Sequence, residues 1–240
     1  MIVTIGRLRE GVPSTLNAFC PANSPQGVSP HLWGFPDYKT NTLIPSDYEN
    51  VVTFSRDLKS SAKPYNQDYR IISVYHVTID DKCNRAFIVD TGSIRSSDGK
   101  SFYIQSPAIL VYYLPPNCCV ARNFDLIRRV EIPESVWKNP LGFDFITIDY
   151  QAKNSCDDLF IYMNNIFDNS IVVYDYDNNY FWAFNNQSSF NPIPNTQEPL
   201  DTRIINTRIR KVAVRDAIRG TVCDNAGVLP DEIVWQYMEY

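Results

Sequence analysis

Apolar and polar positions trade places in short steps along most of this chain. "HVTIDDKCNRAFIVDTG" (76–92) gives a strand of alternating character, a polar turn with a cysteine, and a solid apolar run ending in Asp90-Thr91-Gly92. "AILVYYL" (108–114) and "LIRRVEI" (126–132) follow. The same order returns in "FITIDYQAKNSCDDLFIYMNN" (145–165), "SIVVYDY" (170–176) and "YFWAFNN" (180–186). Thr-Ile-Asp stands at 78–80 and again at 147–149, so the repeat is 147 − 78 = 69 residues. Each segment is short, β-branched or aromatic, and bounded by Asp, Asn, Gly or Pro, the signature of strands joined by tight turns. Asp177-Asn178-Asn179 predicts a hairpin tip, because Asn and Asp tolerate the left-handed backbone it needs.

Four consecutive antiparallel strands, repeated, predict propeller blades over 71–133 and 143–186. A third copy stands in front: "IVTIGRL" (2–8), "STLNAF" (14–19) and "HLWGFPD" (31–37) read as the later strands of a preceding blade. Residues 40–69 form a polar connection without a clear period, and nothing after Pro194 repeats. The fold expected is therefore all-β: a partial β-propeller of about two and a half four-stranded blades over 1–196. An off-pattern tail, 197–240, carries helical spacing at 207–220 and 229–240. Two and a half blades cannot close a ring, so the chain is expected to need further sequence or a partner for stability.

Composition narrows the chemistry. The chain has 240 residues, is 44% hydrophobic and 20% charged, and holds 15 Tyr and 13 Phe against 9 Gly, which suits sheet. A net charge of −5 argues against nucleic acid as a partner, since phosphate binding wants a basic face. No stretch reaches the ~20 apolar residues of a membrane-spanning helix, and no membrane association is expected. Oligomeric state is not legible. Six cysteines without a C-x-x-C pair, and two histidines, give no zinc pattern. The same scattered cysteines suit one or two disulfides in a secreted protein, or equally buried free thiols. No Gly-rich phosphate loop, G-x-S-x-G elbow or metal cluster is present, so no cofactor and no catalytic residue is expected.

One motif asks for more. Asp90-Thr91-Gly92 after an apolar strand is how an aspartic protease loop reads. Such a site needs two carboxylates sharing a proton. The triplet occurs once, and the matching position of the second repeat falls near Asn165, whose amide cannot share a proton. The protease is a remote alternative. His76 lies mid-strand, as an ordinary sheet histidine would, and the acid pairs Asp80-Asp81 and Asp157-Asp158 sit at equivalent turns.

The residues resemble a known family, the yellow / major royal jelly proteins of insects. "TIGRLREGVPSTL" (4–16), "SPHLWGFPDY" (29–38), "VTIDDKCNRAFIVDTG" (77–92), "LIRRVEIPESV" (126–136), "CDDLFIYMNN" (156–165) and "FNPIP" (190–194) follow that family's blocks in order. The likeness covers about 2–195. It implies a six-bladed propeller and a secreted protein, with a signal peptide expected upstream of Met1. It also implies the roles found among family members: cuticle pigmentation, dopachrome conversion, nutrition, or binding of small biogenic amines in the central channel.

The expected function is that of a secreted, non-enzymatic protein with an amine or catechol ligand or a role in pigmentation. A dopachrome-converting isomerase is the alternative. The candidate ligand residues are Asp90, Thr91 and Asn165, at the equivalent turn of each repeat. Where the family carries a cysteine and two prolines, this chain reads Gln105-Ser106-Pro107, so the implied partner of Cys83 is displaced. Cys83, Cys118, Cys119 and Cys156 are the disulfide candidates, and Asn186 heads a glycosylation sequon.

Overall fold

The computed structural model describes residues 2–7, 11–20, 29, 31–43, 52–53, 70–95, 101–115 and 124–185. The tail 197–240, with its expected helices, and the candidates Cys118, Cys119 and Asn186 lie outside the described residues.

The front sheet is β1 (Ile2–Thr4), β2 (Leu16–Ala18) and β3 (Trp33–Gly34), in the order β1-β2-β3. Asp37 then caps a single helical turn, α1 (Tyr38–Asn41), accepting the Thr40 amide at 2.7 Å. A two-residue strand, β4 (Val52–Thr53), interrupts the stretch read as an aperiodic connection. Two residues are too short for a period to show, and its partner lies some fifty positions on. The first full blade holds β5 (Val74–Asp80), β6 (Arg85–Asp90), β9 (Ala108–Tyr113) and β10 (Leu126–Glu131), in the order β10-β9-β6-β5. Between its second and third strands, β7 (Ser93–Arg95) and β8 (Ser101–Tyr103) leave the blade and pair with β4 as a separate small sheet, order β4-β8-β7. The second blade runs β11 (Phe143–Tyr150), β12 (Leu159–Asn165), β13 (Ser170–Asp175) and β14 (Tyr180–Phe184), in sequence order. The partial propeller is thus all-β, with its blades where the repeat places them.

Burial follows the pleat. All six residues of β6 are buried, because this strand is covered on both faces. Phe87 and Val89, with Ile109 and Val111, pack against Ile146, Ile161, Met163, Val172 and Tyr174 of the second blade. Ala86 and Ile88, with Leu110 and Tyr112, pack against Leu16, Ala18 and Phe35 of the front sheet. Successive side chains point to opposite faces, so one strand feeds two cores. The hairpin tips turn on asparagine: Asn84, Asn169 and Asn179 all have positive φ, at 52°, 49° and 52°.

At one rim the two blades are clasped. Cys83 and Cys156, each in the first hairpin of its blade, form a disulfide across 73 residues. Arg85 lies beneath it. Its Nε donates to Asp80 at 3.0 Å, and its terminal nitrogens donate to Asp157 and Tyr150 at 3.1 and 3.0 Å and to the Cys156 carbonyl. Lys82 Nζ sits 3.5 Å above the Tyr150 ring and donates to the carbonyls of Ala152 and Ser155. One acid of each pair is therefore structural at this rim: Asp80 and Asp157 hold the arginine.

Candidate functional site

The opposite rim holds the ends of β6 and β12 and the starts of β5 and β11. Val74 pairs with Asp90, and Phe143 with Asn165, which makes Asp90 and Asn165 equivalent. The match extends to the backbone: the Thr91 amide donates to Ser73 O at 3.0 Å, and the Ile166 amide to Gly142 O at 2.9 Å.

Asp90 is 1% exposed. Its carboxylate accepts the amides of Ser73, Ile72 and Gly92 at 2.8, 3.0 and 3.1 Å and the side-chain amide of Gln105 at 3.0 Å. Burial pushes this carboxyl above the ordinary range, while the three backbone amides and the charge of Arg7 pull it back. Arg7 is itself buried and donates to the carbonyls of Val12, Pro13, Ile71, Ile72 and Asn41, tying the front sheet to the loop entering β5. Thr91 is also buried, with its hydroxyl donating to Ser93 O at 3.0 Å. Gly92 has φ +64°, and a Cβ there would fall 2.0 Å from Gln105 O, so the third residue of the triplet has to be glycine.

In the second blade the work is divided. Asn165 donates to Asp168 at 2.8 Å and to the Asn139 carbonyl at 3.0 Å. Asp168 takes the amides of Lys138 and Asn139 at 2.6 and 3.2 Å. The amide at Asn165 leaves Asp90 without a matching carboxylate, so the pair that proteolysis needs is not built here. Asp90, Thr91 and Asn165 all shape the rim from beneath its surface.

Reactive side chains reach the rim through a feature the sequence pattern does not show. Both inner strands carry an extra residue at the same place: the register slips between Val74 and Val77 in β5 and between Phe143 and Phe145 in β11. A bulge bends its strand and re-aims a side chain, often beside a functional site. The residues concerned are Tyr75 and His76 in one blade and Asp144 in the next. The Asn164 carboxamide oxygen holds the second bulge, accepting the Phe145 amide at 2.7 Å. With a 69-residue repeat His76 and Phe145 are equivalents, and their rings lie against each other across the blade boundary, centroids 4.0 Å apart and planes tilted by 30°. The Tyr75 ring lies on the backbone of Gly6, where a Cβ would come within 2.2 Å of it. Burial raises the Tyr75 phenol above its ordinary value. The Ser73 side chain and Arg95 lower it, and Asp144 raises it further.

The rim thus offers two closely set rings, a phenol and a carboxylate on neighbouring inner strands, suited to a small aromatic ligand bearing positive charge. Sequence reasoning named the buried strand ends and missed Tyr75, Asp144 and Phe145. The repeat could have flagged 75/144 and 76/145 as equivalents, but not the bulges. His76, read as an ordinary sheet residue, belongs to the rim. Elsewhere, a concavity of about 140 Å³ is lined by Ile2, Ala18, Phe19, Trp33, Phe35, Ile79, Leu114 and Phe124. Its described walls carry no charged side chain, and it does not suit such a ligand. Among the described residues no cluster of His, Cys, Asp or Glu could hold a metal ion, and no helix is long and apolar enough to cross a membrane.

The family model described as major royal jelly protein matches residues 72–199, a span holding both blades and this rim. The chain belongs to the yellow / major royal jelly protein family. Among its relatives, the yellow-related salivary protein ASP2 of Phlebotomus orientalis is 32% identical over 194 residues, 80% of this chain and 40% of that protein. The yellow-related salivary protein SP04 of Phlebotomus argentipes is 35% identical over 133 residues, 55% of this chain and 32% of that protein. The L-dopachrome tautomerase yellow-f of Drosophila melanogaster is 28% identical over 194 residues, 80% of this chain and 38% of that protein. The chain therefore spans less than half the length of these curated relatives. Gln105 stands where the family resemblance places a cysteine, and Cys83 bonds to Cys156 of the next blade.

Proposed function

We propose that this chain is part of a secreted yellow-type protein that binds a small aromatic amine or catechol at the bulged rim, without turnover. The observation that carries it is the pair of bulges at one position of adjacent inner strands, which sets the His76–Phe145 ring pair beside Asp144 and Tyr75. The ring stacks on aromatic faces, and the carboxylate balances the ammonium. Asp90, Thr91 and Asn165 act in this reading by fixing the strand ends on which those side chains stand. The disulfide and relatives named as salivary proteins support an extracellular destination. Relatives named protein yellow support a role in pigmentation. Calorimetric titration with dopamine and serotonin tests the binding. The expected outcome is saturable binding, weakened about tenfold in Asp144→Asn by loss of a charge-assisted contact. No heat with either ligand overturns it.

The second reading is dopachrome conversion. A relative carrying that name and an imidazole at the rim, the side chain most often used to transfer protons in catalysis, favour it. Following dopachrome decay against heat-killed protein separates the two. Turnover abolished by His76→Gln would make the protein an enzyme.

A further inference from the structure

Cys20 is buried and disulfide-bonded. Its partner is neither Cys83 nor Cys156, which bond to each other. Three cysteines remain in the chain, Cys118, Cys119 and Cys223, all outside the described residues. Cys20 lies between the blocks of sequence that carry the family resemblance, so the resemblance assigns it no partner.

The residues around Cys20 separate the three. β2 starts beside the bulged rim, where Thr15 Oγ1 accepts the Val74 amide at 2.8 Å. It runs towards the clasp, where Phe19 and Ile79 line one concavity, and Cys20 follows directly. The other walls of that concavity include Leu114 and Phe124 of the first blade, which flank the stretch carrying Cys118 and Cys119. Both ends of this stretch are fixed. The Leu114 amide donates to Asn84 O at 2.7 Å, and the Tyr113 amide donates to Asp125 O at 2.9 Å. The Phe124 ring lies against Phe35, centroids 4.4 Å apart. The chain thus leaves the blade and returns to it beside the end of β2. Cys118 is four residues from Leu114 and Cys119 five from Phe124, spans of at most ~18 Å even when fully extended. Cys223 lies 223 − 124 = 99 residues beyond Phe124. A sulfur on a short tether samples its surroundings far more densely than one on a long tether, so the adjacent pair outcompetes Cys223 for Cys20.

We infer that Cys20 is bonded to one sulfur of the Cys118-Cys119 pair, and that this second disulfide ties the front sheet to the first blade. The first blade is then stapled to a neighbour on each side, and both staples stand away from the bulged rim. The bond also fixes the apolar walls of the concavity against each other, since Phe19 comes from one sheet and Leu114 and Phe124 from the other.

The test is peptide mapping of the 240-residue chain secreted from insect cells, with free thiols blocked in acid and tryptic digestion without reductant. Cleavage after Arg9, Lys39, Lys100, Arg122 and Arg219 puts Cys20 on 10–39, the pair on 101–122 and Cys223 on 220–240. The first and last of these hold one cysteine each, so any species joining 10–39 to 101–122 carries the inferred bond. That species is expected to hold most of the Cys20 recovered. It should persist in Cys223→Ser and vanish in the double variant Cys118→Ser with Cys119→Ser. Cys20 recovered as a blocked thiol, or joined to any other peptide, overturns the inference.

Discussion

At one rim of the paired blades, Cys83–Cys156, Arg85, Asp80 and Asp157 lock the hairpin tips of neighbouring sheets together. At the other, each inner strand departs from its ladder by one residue, and the side chains so re-aimed are half-buried: Tyr75, His76, Asp144 and Phe145. The first rim is held by a covalent bond between blades and by Arg85, which is paired in its own blade with buried Asp80 and reaches across to Asp157, Tyr150 and the Cys156 carbonyl. The second is held from below, through Asp90, Arg7 and Gly92. The contrast teaches where irregularity can be carried. Bulges loosen strand pairing, and the fixed distance between blades at the clasp keeps that loosening from spreading.

The sharpest way to break the comparison is to remove the arginine of the clasp. Arg85 and Asp80 have side chains 5% and 2% exposed. Arg85→Met leaves the Asp80 charge in place without its guanidinium, and breaking a buried pair in this way costs about 3–5 kcal/mol. Urea unfolding followed by circular dichroism should record that loss. Ligand affinity at the far rim should stay within about twofold, since distant sites with no shared partner behave additively. A large drop in affinity would mean that the clasp sets the geometry of the bulges.

The disulfide comes next. Closing a loop of 73 residues restricts the unfolded chain, and Cys83→Ser with Cys156→Ser should lower stability by about 2–4 kcal/mol. Combined with Arg85→Met the losses should not add, because Arg85 also binds the Cys156 carbonyl. Strict additivity would show the two restraints to be independent.

The clasp was half legible and the site hardly at all. The blades could be read because β6, β9, β12 and β13 are apolar runs between turn residues, and the 69-residue repeat set their order. Asn179 at its hairpin tip was legible for the same local reason. Cys83 and Cys156 were candidates, but their pairing depends on two hairpin tips meeting between blades, which no spacing encodes. The small β4-β8-β7 sheet escaped notice because its strands are two or three residues long and pair across the chain. Asp90, Thr91 and Asn165 stood out as a motif, yet their side chains are spent on backbone amides, on carbonyls and, for Asn165, on Asp168. The rim residues above them depend on a register slip in each inner strand, a property of paired strands and not of either alone.

A smaller effect is expected within the bulged rim itself. Gly92→Ala places a Cβ 2.0 Å from Gln105 O at a positive φ, and the strain should cost about 1–3 kcal/mol. The chain around Asp90 would have to move, and with it the loop entering β5, whose Ile72 and Ser73 amides Asp90 holds. Gly92→Ala should therefore also weaken ligand binding at this rim, whereas the clasp variants should not. Unchanged affinity would show that the bulged strands keep their places without this turn.

The smallest effect sharpens the contrast through two tyrosines. At the clasp, burial and the hydrogen bond donated to Asp80 push the Tyr150 phenol up to about 12, against the lowering influence of Arg85. Its folded value lies above the unfolded one of about 10. The neutral phenol is thus favoured in the folded state, and its contribution is complete below pH ~10 and lost as pH rises towards ~12. Tyr150 is partly exposed, so solvent screening holds the contribution to a fraction of a kcal/mol. Spectrophotometric titration should show Tyr150→Phe lacking one late-ionising phenol, with a flatter alkaline limb of stability. Tyr75, at the other rim, is also raised by burial, lowered by the Ser73 side chain and raised further by Asp144. Ligand added before the alkaline titration should shift the Tyr75 ionisation, identified by its loss in Tyr75→Phe, and leave that of Tyr150 unmoved. A shift in Tyr150 alone would put the ligand at the clasp and reverse the assignment of the two rims.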